Sequence, residues 1–128
     1  YPYYPGTGAY DEIGIGAGKH SIVNCPMAAG AGNATYETAF IERILPALDI
    51  FKPDAIIISA GFDAHTTDPL AEINLSAEFF GWMTERLMEC AEKHADGRII
   101  SMLEGGYNLA SIGPCIAEHL KSLTAPAA

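Results

Sequence analysis

Two glycine-containing segments of the sequence carry side chains that could bind a metal ion or polarise a substrate. The first, SAGFDAHTTDPL, spans residues 59–70, and the second, LEGGYNL, spans residues 103–109. A carboxylate such as that of Asp63 is a good zinc ligand, and a phenol such as that of Tyr107 can donate a hydrogen bond to a developing oxyanion. These two segments are therefore the candidates for a catalytic site.

The same side chains also have structural interpretations. Asp63 could accept hydrogen bonds from its own turn, and Tyr107 could be a packing residue with a hydrated hydroxyl. Asp63, His65 and Asp68 suggest a metal-binding set, but Asp68 precedes a proline and is typical of an Asx turn. Residue type alone favours the structural interpretation of Asp63 and leaves that of Tyr107 open. The other histidines have no evident partner and are interpreted as solvated or structural; they are His20, His94 and His119.

Two buried strands are needed to position these segments. Residues 55–58 (AIII) and 98–102 (RIISM) are short, largely β-branched runs that end where the two segments begin. Because the first run is apolar at consecutive positions, we predict that helices cover both of its faces, as in a parallel sheet. Ligands of such sheets bind outside the carboxyl ends of the strands, which is where both segments lie.

Three helices and one further strand complete the predicted order. A helix capped by Asn33 or Thr35 should run to about residue 51, with Pro46 kinking or dividing it. Ser76 should cap a second helix, and a third should cover residues 112–123, where Pro114 fits only in the first turn. With a strand predicted at residues 20–27, the order is β-α-β-α-β-α, which indicates an α/β fold with a parallel sheet. Three strands leave an exposed edge, so the architecture resembles part of a larger sheet.

Composition narrows the possible partners and the possible location. The 128 residues fit one domain, and 16 acidic against 7 basic side chains give a net charge of −9. This charge argues against direct nucleic-acid binding and is compatible with a cationic substrate, although it also serves solubility.

No apolar run approaches the ~20 residues of a membrane span, and no signal peptide is evident, so we predict a cytoplasmic protein without a membrane partner. The three cysteines are predicted to be reduced, and the glycine-rich start at Tyr1 suggests a piece of a longer protein.

Three stretches closely resemble the C-terminal part of the zinc-dependent deacetylases. They are YYPGTGAYDEIGIGAGKHSIVNCPM at residues 3–27 and the two candidate segments. The resemblance is to the superfamily of histone deacetylases, acetoin-utilisation proteins and acetylpolyamine amidohydrolases, in its class II-like or bacterial branch, and it covers residues 1–123. It implies a three-layer parallel sheet with flanking helices, similar to arginase. Residues 1–128 would be the C-terminal part of a single deacetylase domain, with an active-site loop region at 1–19 and the β-α-β-α-β-α unit at 20–128.

The resemblance also implies a role for individual residues. Asp63 matches the family's third zinc ligand, and Tyr107 matches the tyrosine that polarises the scissile amide carbonyl and stabilises the oxyanion. The matches that line the substrate tunnel or the pocket beside it are Tyr4, Leu70, Gly105 and Gly106. His65 matches no role. The implied cofactor is zinc, and the implied substrate is an acylated lysine or polyamine.

Part of the family's catalytic apparatus has no counterpart in this sequence. In the family, the other two zinc ligands lie in an Asp-x-His motif and the general bases are tandem histidines, both upstream of the stretches matched here. A single carboxylate does not lower the pKa of a zinc-bound water to about 7, so this chain alone is expected to be inactive and to need the N-terminal half of the domain. The alternative is a non-catalytic scaffold or a degenerate binding module. A two-manganese arginase-like hydrolase is less favoured, because Asp63-Ala64-His65 lacks the Asp-x-Asp pair.

Overall fold

The computed structural model describes residues 3–125 and has an α/β architecture. Its helices are α1 (Asn33–Ala39), α2 (Leu45–Phe51), α3 (Ala77–His94) and α4 (Leu109–Leu123), and its strands are β1 (Ile56–Ala60) and β2 (Ile99–Leu103). The predicted α/β class and parallel sheet are confirmed. None of the helices within residues 3–125 is long and apolar enough to cross a membrane.

The two strands bring the candidate segments together. β1 and β2 pair in parallel, with Ile56 opposite Ile99, and α3 lies between them along the chain. The pairing continues beyond the strands, because Glu104 N–H donates to the Ala60 carbonyl at 3.0 Å and Phe62 N–H donates to the Gly105 carbonyl at 2.8 Å. The two segments therefore leave the same edge of the sheet side by side.

The predicted strand at residues 20–27 is wrong. Within the described residues the sheet has two strands, and this stretch is an unpaired, largely exposed loop. Its Asn24 side chain is bound to the preceding loop, because Nδ2 donates to the carbonyls of Ala9 and Glu12, each at 2.9 Å. An apolar run becomes a strand only where another strand offers its unpaired backbone groups, and no described strand does so here.

The expectation that both faces of the sheet are covered is not met within residues 3–125. Ile56 and Ala60 of β1 are buried, facing the core shared with α3 and α4. On the opposite face, Ile57 and Ile100 are 63% and 58% exposed, and Met102 is also exposed. The described part of the chain therefore has two layers rather than three, with one apolar face of the sheet open.

The core lies where α3 and α4 pack together against the closed face of the sheet. Leu75 and Cys115 are its fully buried large side chains. Gly81 permits the close approach of α3 to α4, since a Cβ at this position would lie 3.3 Å from the Glu118 carbonyl oxygen. All three cysteines are free, as predicted, although Cys25 is only half-buried.

The helix starts follow the sequence signals in part. Ser76 is the N-cap of α3, as predicted, although its side chain makes no capping hydrogen bond. The N-cap of α1 is Gly32 rather than Asn33 or Thr35. The Asn33 side chain instead reaches Ser76, accepting from its N–H at 3.1 Å and donating to its Oγ at 3.3 Å. It therefore joins the starts of two helices.

The two helical prolines are accommodated differently. Pro46 follows a π-helical segment, Phe40–Ile44, that joins α1 to α2. The predicted division of this helix is not seen, because the backbone stays helical from residue 33 to residue 51. Pro114 lies in the second turn of α4, which begins at Leu109, so the expected first-turn position is wrong. The proline leaves one carbonyl without a helical donor, but this side of α4 is exposed, so water can take its place.

Candidate functional site

Asp63 lies in the turn after β1, with its carboxylate held against two glycines. A Cβ on Gly105 would lie 2.8 Å from the carboxyl carbon of Asp63, and a Cβ on Gly61 would lie 2.8 Å from its Oδ1. The side-chain hydrogen bonds of this turn involve His65 and Asp68, and no described residue donates one to the Asp63 carboxylate. The structural interpretation of Asp63 therefore lacks the hydrogen bond that it requires.

Tyr36 on α1 interacts electrostatically with this carboxylate, which was not predicted from the sequence. Burial, and secondarily the negative charge of Asp63, raise the pKa of the Tyr36 phenol. No motif or spacing in the sequence pointed to this residue, because Asp63 lies on a different element.

Tyr107 lies in the turn after β2 and is 57% exposed. The preceding Gly106 has φ +136°, and a Cβ there would lie 2.8 Å from Ile112 Cδ1 and 3.2 Å from Phe62 Cβ. Both the backbone conformation and the space therefore require glycine. The Tyr107 phenol makes no hydrogen bond to a described residue, so it is free to meet a ligand.

Two side chains tie the turns to each other. Asp68 accepts from Leu70 N–H within its own turn and from Tyr107 N–H across the gap, both at 2.9 Å. Asn108 accepts from Ala110 N–H at 2.9 Å, capping α4, and its Nδ2 donates to the Thr67 carbonyl at 2.8 Å. The predicted turn role of Asp68 is confirmed, but its contact with Tyr107 was missed. The signal available in the sequence was the side-chain chemistry. An aspartate carboxylate can accept hydrogen bonds at both oxygens, and an asparagine carboxamide can accept and donate at the same time.

The possible metal-binding set of Asp63, His65 and Asp68 is not assembled. His65 Nδ1 accepts from Thr67 N–H at 3.2 Å, and Asp68 is bound to Tyr107. Within the part of the chain that the structure describes, no three His, Cys, Asp or Glu side chains form a group that could hold a metal ion.

The residues matched to the substrate tunnel are brought near one another only in part. The Tyr3 hydroxyl donates to the Leu70 carbonyl, which brings the start of the described chain to the first turn. Tyr4 is 91% exposed and Leu70 50% exposed, whereas Gly105 is buried beside Asp63. The described residues therefore form an open surface here and do not enclose a tunnel.

His119 is a structural residue, which agrees with one of the two interpretations from sequence, but it has hydrogen-bond partners that the sequence did not indicate. It is buried, with Nδ1 2.6 Å from Thr84 Oγ1 and Nε2 2.7 Å from Ser101 Oγ. The Thr84 hydroxyl donates its proton to the Phe80 carbonyl at 2.6 Å, so Thr84 accepts from Nδ1–H of the ring. This chain of hydrogen bonds joins α3, α4 and β2. His94 is also paired, with its Nε2 2.7 Å from Asp49 Oδ1.

Comparison with known proteins identifies the family. The sequence profile of the histone deacetylase domain matches residues 1–123. The chain belongs to the histone deacetylase family. The predicted resemblance is thereby confirmed, and it extends over nearly the whole chain.

Relatives from plants, archaea and bacteria agree with this assignment. The chain is 40% identical over 93% of its length to histone deacetylase 10, chloroplastic, of Oryza sativa subsp. japonica, covering 27% of that protein. It is 44% identical over 84% of its length to a probable deacetylase of Archaeoglobus fulgidus, covering 30% of it. It is 38% identical over 87% of its length to a histone deacetylase-like amidohydrolase of Pseudomonas aeruginosa, covering 29% of it. The chain therefore spans less than a third of the length of each of these relatives.

Solved structures of the family have the same fold as this chain. The HDA15 HD domain superposes with a TM-score of 0.88 at 40% identity, covering 94% of this chain and 33% of that domain. The histone deacetylase Clr3 superposes with a TM-score of 0.88 at 38% identity, covering 95% of this chain and 20% of that chain. Since one relative is named as chloroplastic, the cytoplasmic location stays a prediction.

Proposed function

We propose that this chain forms one side of the active site of a zinc-dependent deacetylase that hydrolyses the amide of an acetylated lysine or polyamine. The observation that carries the proposal is the pairing of β1 with β2. It brings two groups to adjacent turns in a member of the histone deacetylase family: the carboxylate of Asp63, which accepts no hydrogen bond from a described residue, and the exposed phenol of Tyr107.

Asp63 fits one position of a zinc site. Its carboxylate is half-buried, accepts no hydrogen bond from the described residues and is of a ligand type that zinc takes. Residues 3–125 supply no complete ligand set, so the remaining ligands and the general base come from outside them. When bound, zinc would act as a Lewis acid toward the amide carbonyl and the attacking water.

The other side chains of the site act on the substrate. Tyr107 donates a hydrogen bond to the amide oxygen, which becomes an oxyanion as water adds to the carbonyl carbon. Tyr4 and Leu70 provide apolar surface for the stem of the acylated amine. Gly105 leaves room for the Asp63 carboxylate, and Gly106 allows the backbone before Tyr107 to pass close to its neighbours. The net charge of −9 attracts the cationic amines of a polyamine or a lysine-rich peptide.

Tyr107→Phe, made in the full-length protein that contains this chain, tests the catalytic assignment. Loss of one oxyanion donor should lower kcat by about 10²- to 10³-fold while zinc content stays unchanged. Turnover is measured on acetyl-lysine peptides and acetylated polyamines, and zinc by atomic spectroscopy. Tyr10→Phe is the matched control, since its ring lies 3.7 Å from the Arg43 guanidinium and phenylalanine preserves that contact. Near-normal turnover of Tyr107→Phe would refute the role.

A non-catalytic binding module is the second candidate, because the described residues offer one candidate ligand rather than three. The two candidates differ in what the purified proteins should contain. For a deacetylase, the 128-residue chain alone should lack both zinc and turnover, whereas the full-length protein should have both. A full-length protein without zinc or turnover would favour the binding module.

A further inference from the structure

We propose that Asp68 and Asn108 are positioning residues that hold Tyr107 beside the Asp63 turn. We use the term inter-turn latch for two contacts: the hydrogen bond that Asp68 accepts from Tyr107 N–H and those that Asn108 donates to Thr67. The inference deepens the proposed function, since it assumes that the Tyr107 phenol acts on the substrate.

Tyr107 lies beyond the backbone hydrogen bonds that pair the two segments. The last backbone hydrogen bond between the two segments is that of Phe62 N–H to the Gly105 carbonyl, at 2.8 Å. Beyond it come Gly106, a conformationally permissive residue at φ +136°, and the exposed Tyr107. Neither sheet pairing nor side-chain burial therefore fixes the position from which the phenol projects.

The inter-turn latch supplies that constraint, because Asp68 and Asn108 each make one hydrogen bond within their own turn and at least one to the other turn. Asp68 uses Oδ1 for Leu70 N–H and Oδ2 for Tyr107 N–H, so the turn that it closes is also the support of Tyr107. A bond from N–H to a charged carboxylate is stronger than a neutral one. Along the chain, the two partners are 39 residues apart.

Asn108 secures the other side of Tyr107. Its Oδ1 caps α4 through Ala110 N–H, while its Nδ2 donates to both the carbonyl and the Oγ1 of Thr67, at 2.8 and 3.0 Å. The start of α4 is thereby fixed to the first turn. Tyr107 is held at its own N–H and at the residue after it.

Loss of the latch should affect catalysis more than binding. A hydrogen-bond donor that shifts by about 1 Å loses much of its effect on a transition state, since catalysis depends on orientation. The substrate stem would still meet Tyr4 and Leu70, and Asp63 would be unchanged. A latch variant should therefore have a lower kcat with similar KM and zinc content.

Asp68→Asn in the full-length protein isolates the bond to Tyr107. The variant keeps an oxygen for Leu70 N–H, but its NH₂ group now faces Tyr107 N–H, where it cannot accept. Amide hydrogen exchange of Tyr107 should become roughly 10- to 100-fold faster, the range for losing a charge-assisted hydrogen bond. We expect kcat to fall about tenfold or more, with KM within about twofold. Asp54→Asn, an exposed position whose side chain makes no described hydrogen bond, is the control of equal charge change.

Asn108→Asp is the complementary variant, because it keeps the cap on Ala110 N–H but loses the donor to Thr67. It should change the exchange of Tyr107 and kcat in the same direction as Asp68→Asn. Its melting temperature should fall, because a carboxylate oxygen would then face the Thr67 carbonyl oxygen. If the amide hydrogen exchange of Tyr107 is unchanged in both variants, the inter-turn latch does not exist. Faster exchange with unchanged kcat would overturn its positioning role. An unmodified protein that binds zinc but has no turnover would instead refute the proposed function, and the exchange measurement would still decide whether the latch exists.

Discussion

His119 illustrates how packing sets the protonation state of a residue. Burial lowers the pKa of its imidazole, so the ring is neutral near pH 7. Because Thr84 accepts from Nδ1–H, the bare Nε2 accepts from the Ser101 hydroxyl. A second proton on the ring would force Ser101 to turn its own proton away, in a place that water does not reach freely.

Stability should therefore decrease as the pH falls below about 6.5, the pKa of an unperturbed histidine. The pKa of His119 is lower in the folded state, so the unfolded state takes up more protons in this window and the free energy of unfolding rises with pH. His119→Gln should remove this contribution and cost about 1–3 kcal/mol at pH 7 through lost hydrogen bonds. Urea unfolding between pH 5 and pH 8 measures both effects.

His20→Asn is the control for this prediction. His20 is exposed and has φ 70°, a conformation that asparagine tolerates. The control should keep the pH dependence of the unmodified protein. If His119→Gln shows the same slope of stability against pH as the control, His119 is not the group responsible.

At the scale of elements, the turn after β2 is constrained by contact with the turn after β1. Gly105→Ala would place a methyl group 2.8 Å from the carboxyl carbon of Asp63, so either the carboxylate or the turn must move. We expect a loss of about 1–3 kcal/mol in stability. In the full-length protein, zinc content should fall, as measured by atomic spectroscopy.

Gly18→Ala is the matched substitution outside the site. Its new Cβ would have Ser21 Oγ as its nearest neighbour at 3.5 Å, an ordinary contact. Stability and zinc content should stay near those of the unmodified protein. Gly105→Ala with unaltered zinc content would show that Asp63 does not need its present position to hold the metal.

At the scale of the whole molecule, one apolar face of the sheet is not covered by any of the described residues. Ile57, Ile100 and Met102 present apolar surface on the side away from α3 and α4. A contiguous apolar surface of this kind marks an interaction site or an aggregation liability. In the proposed full-length deacetylase, further elements of the domain would cover it.

The 128-residue chain alone should consequently bind the dye ANS and self-associate at micromolar concentration. The double variant Ile57→Thr/Ile100→Thr should reduce both, with little change in its unfolding free energy, because these side chains are exposed in this chain. In the full-length protein the same variant should destabilise by several kcal/mol, since the threonines would then be buried. Equal effects in the two proteins would mean that the face is not covered.

Much of the fold and part of the site could be predicted from local sequence patterns. The runs at residues 55–58 and 98–102 indicated β1 and β2, and Ser76 indicated the start of α3, because strand and helix periodicity and capping act over a few residues. The turn chemistry of Asp68 was readable for the same reason. The three motifs also identified the family, which the comparisons confirmed.

Other features depend on contacts between residues far apart in the chain, and only the tertiary structure decided them. Residues 20–27 have a strand-like pattern but no described strand to pair with, so they remain a loop. His119 gained its partners through the packing of α3, α4 and β2. Asp68 reaches Tyr107 only because parallel pairing brings the two turns to one edge of the sheet. Local periodicity encodes the type of each element and which of its faces is apolar, whereas the identity of the group that meets a given side chain is set by how the elements pack.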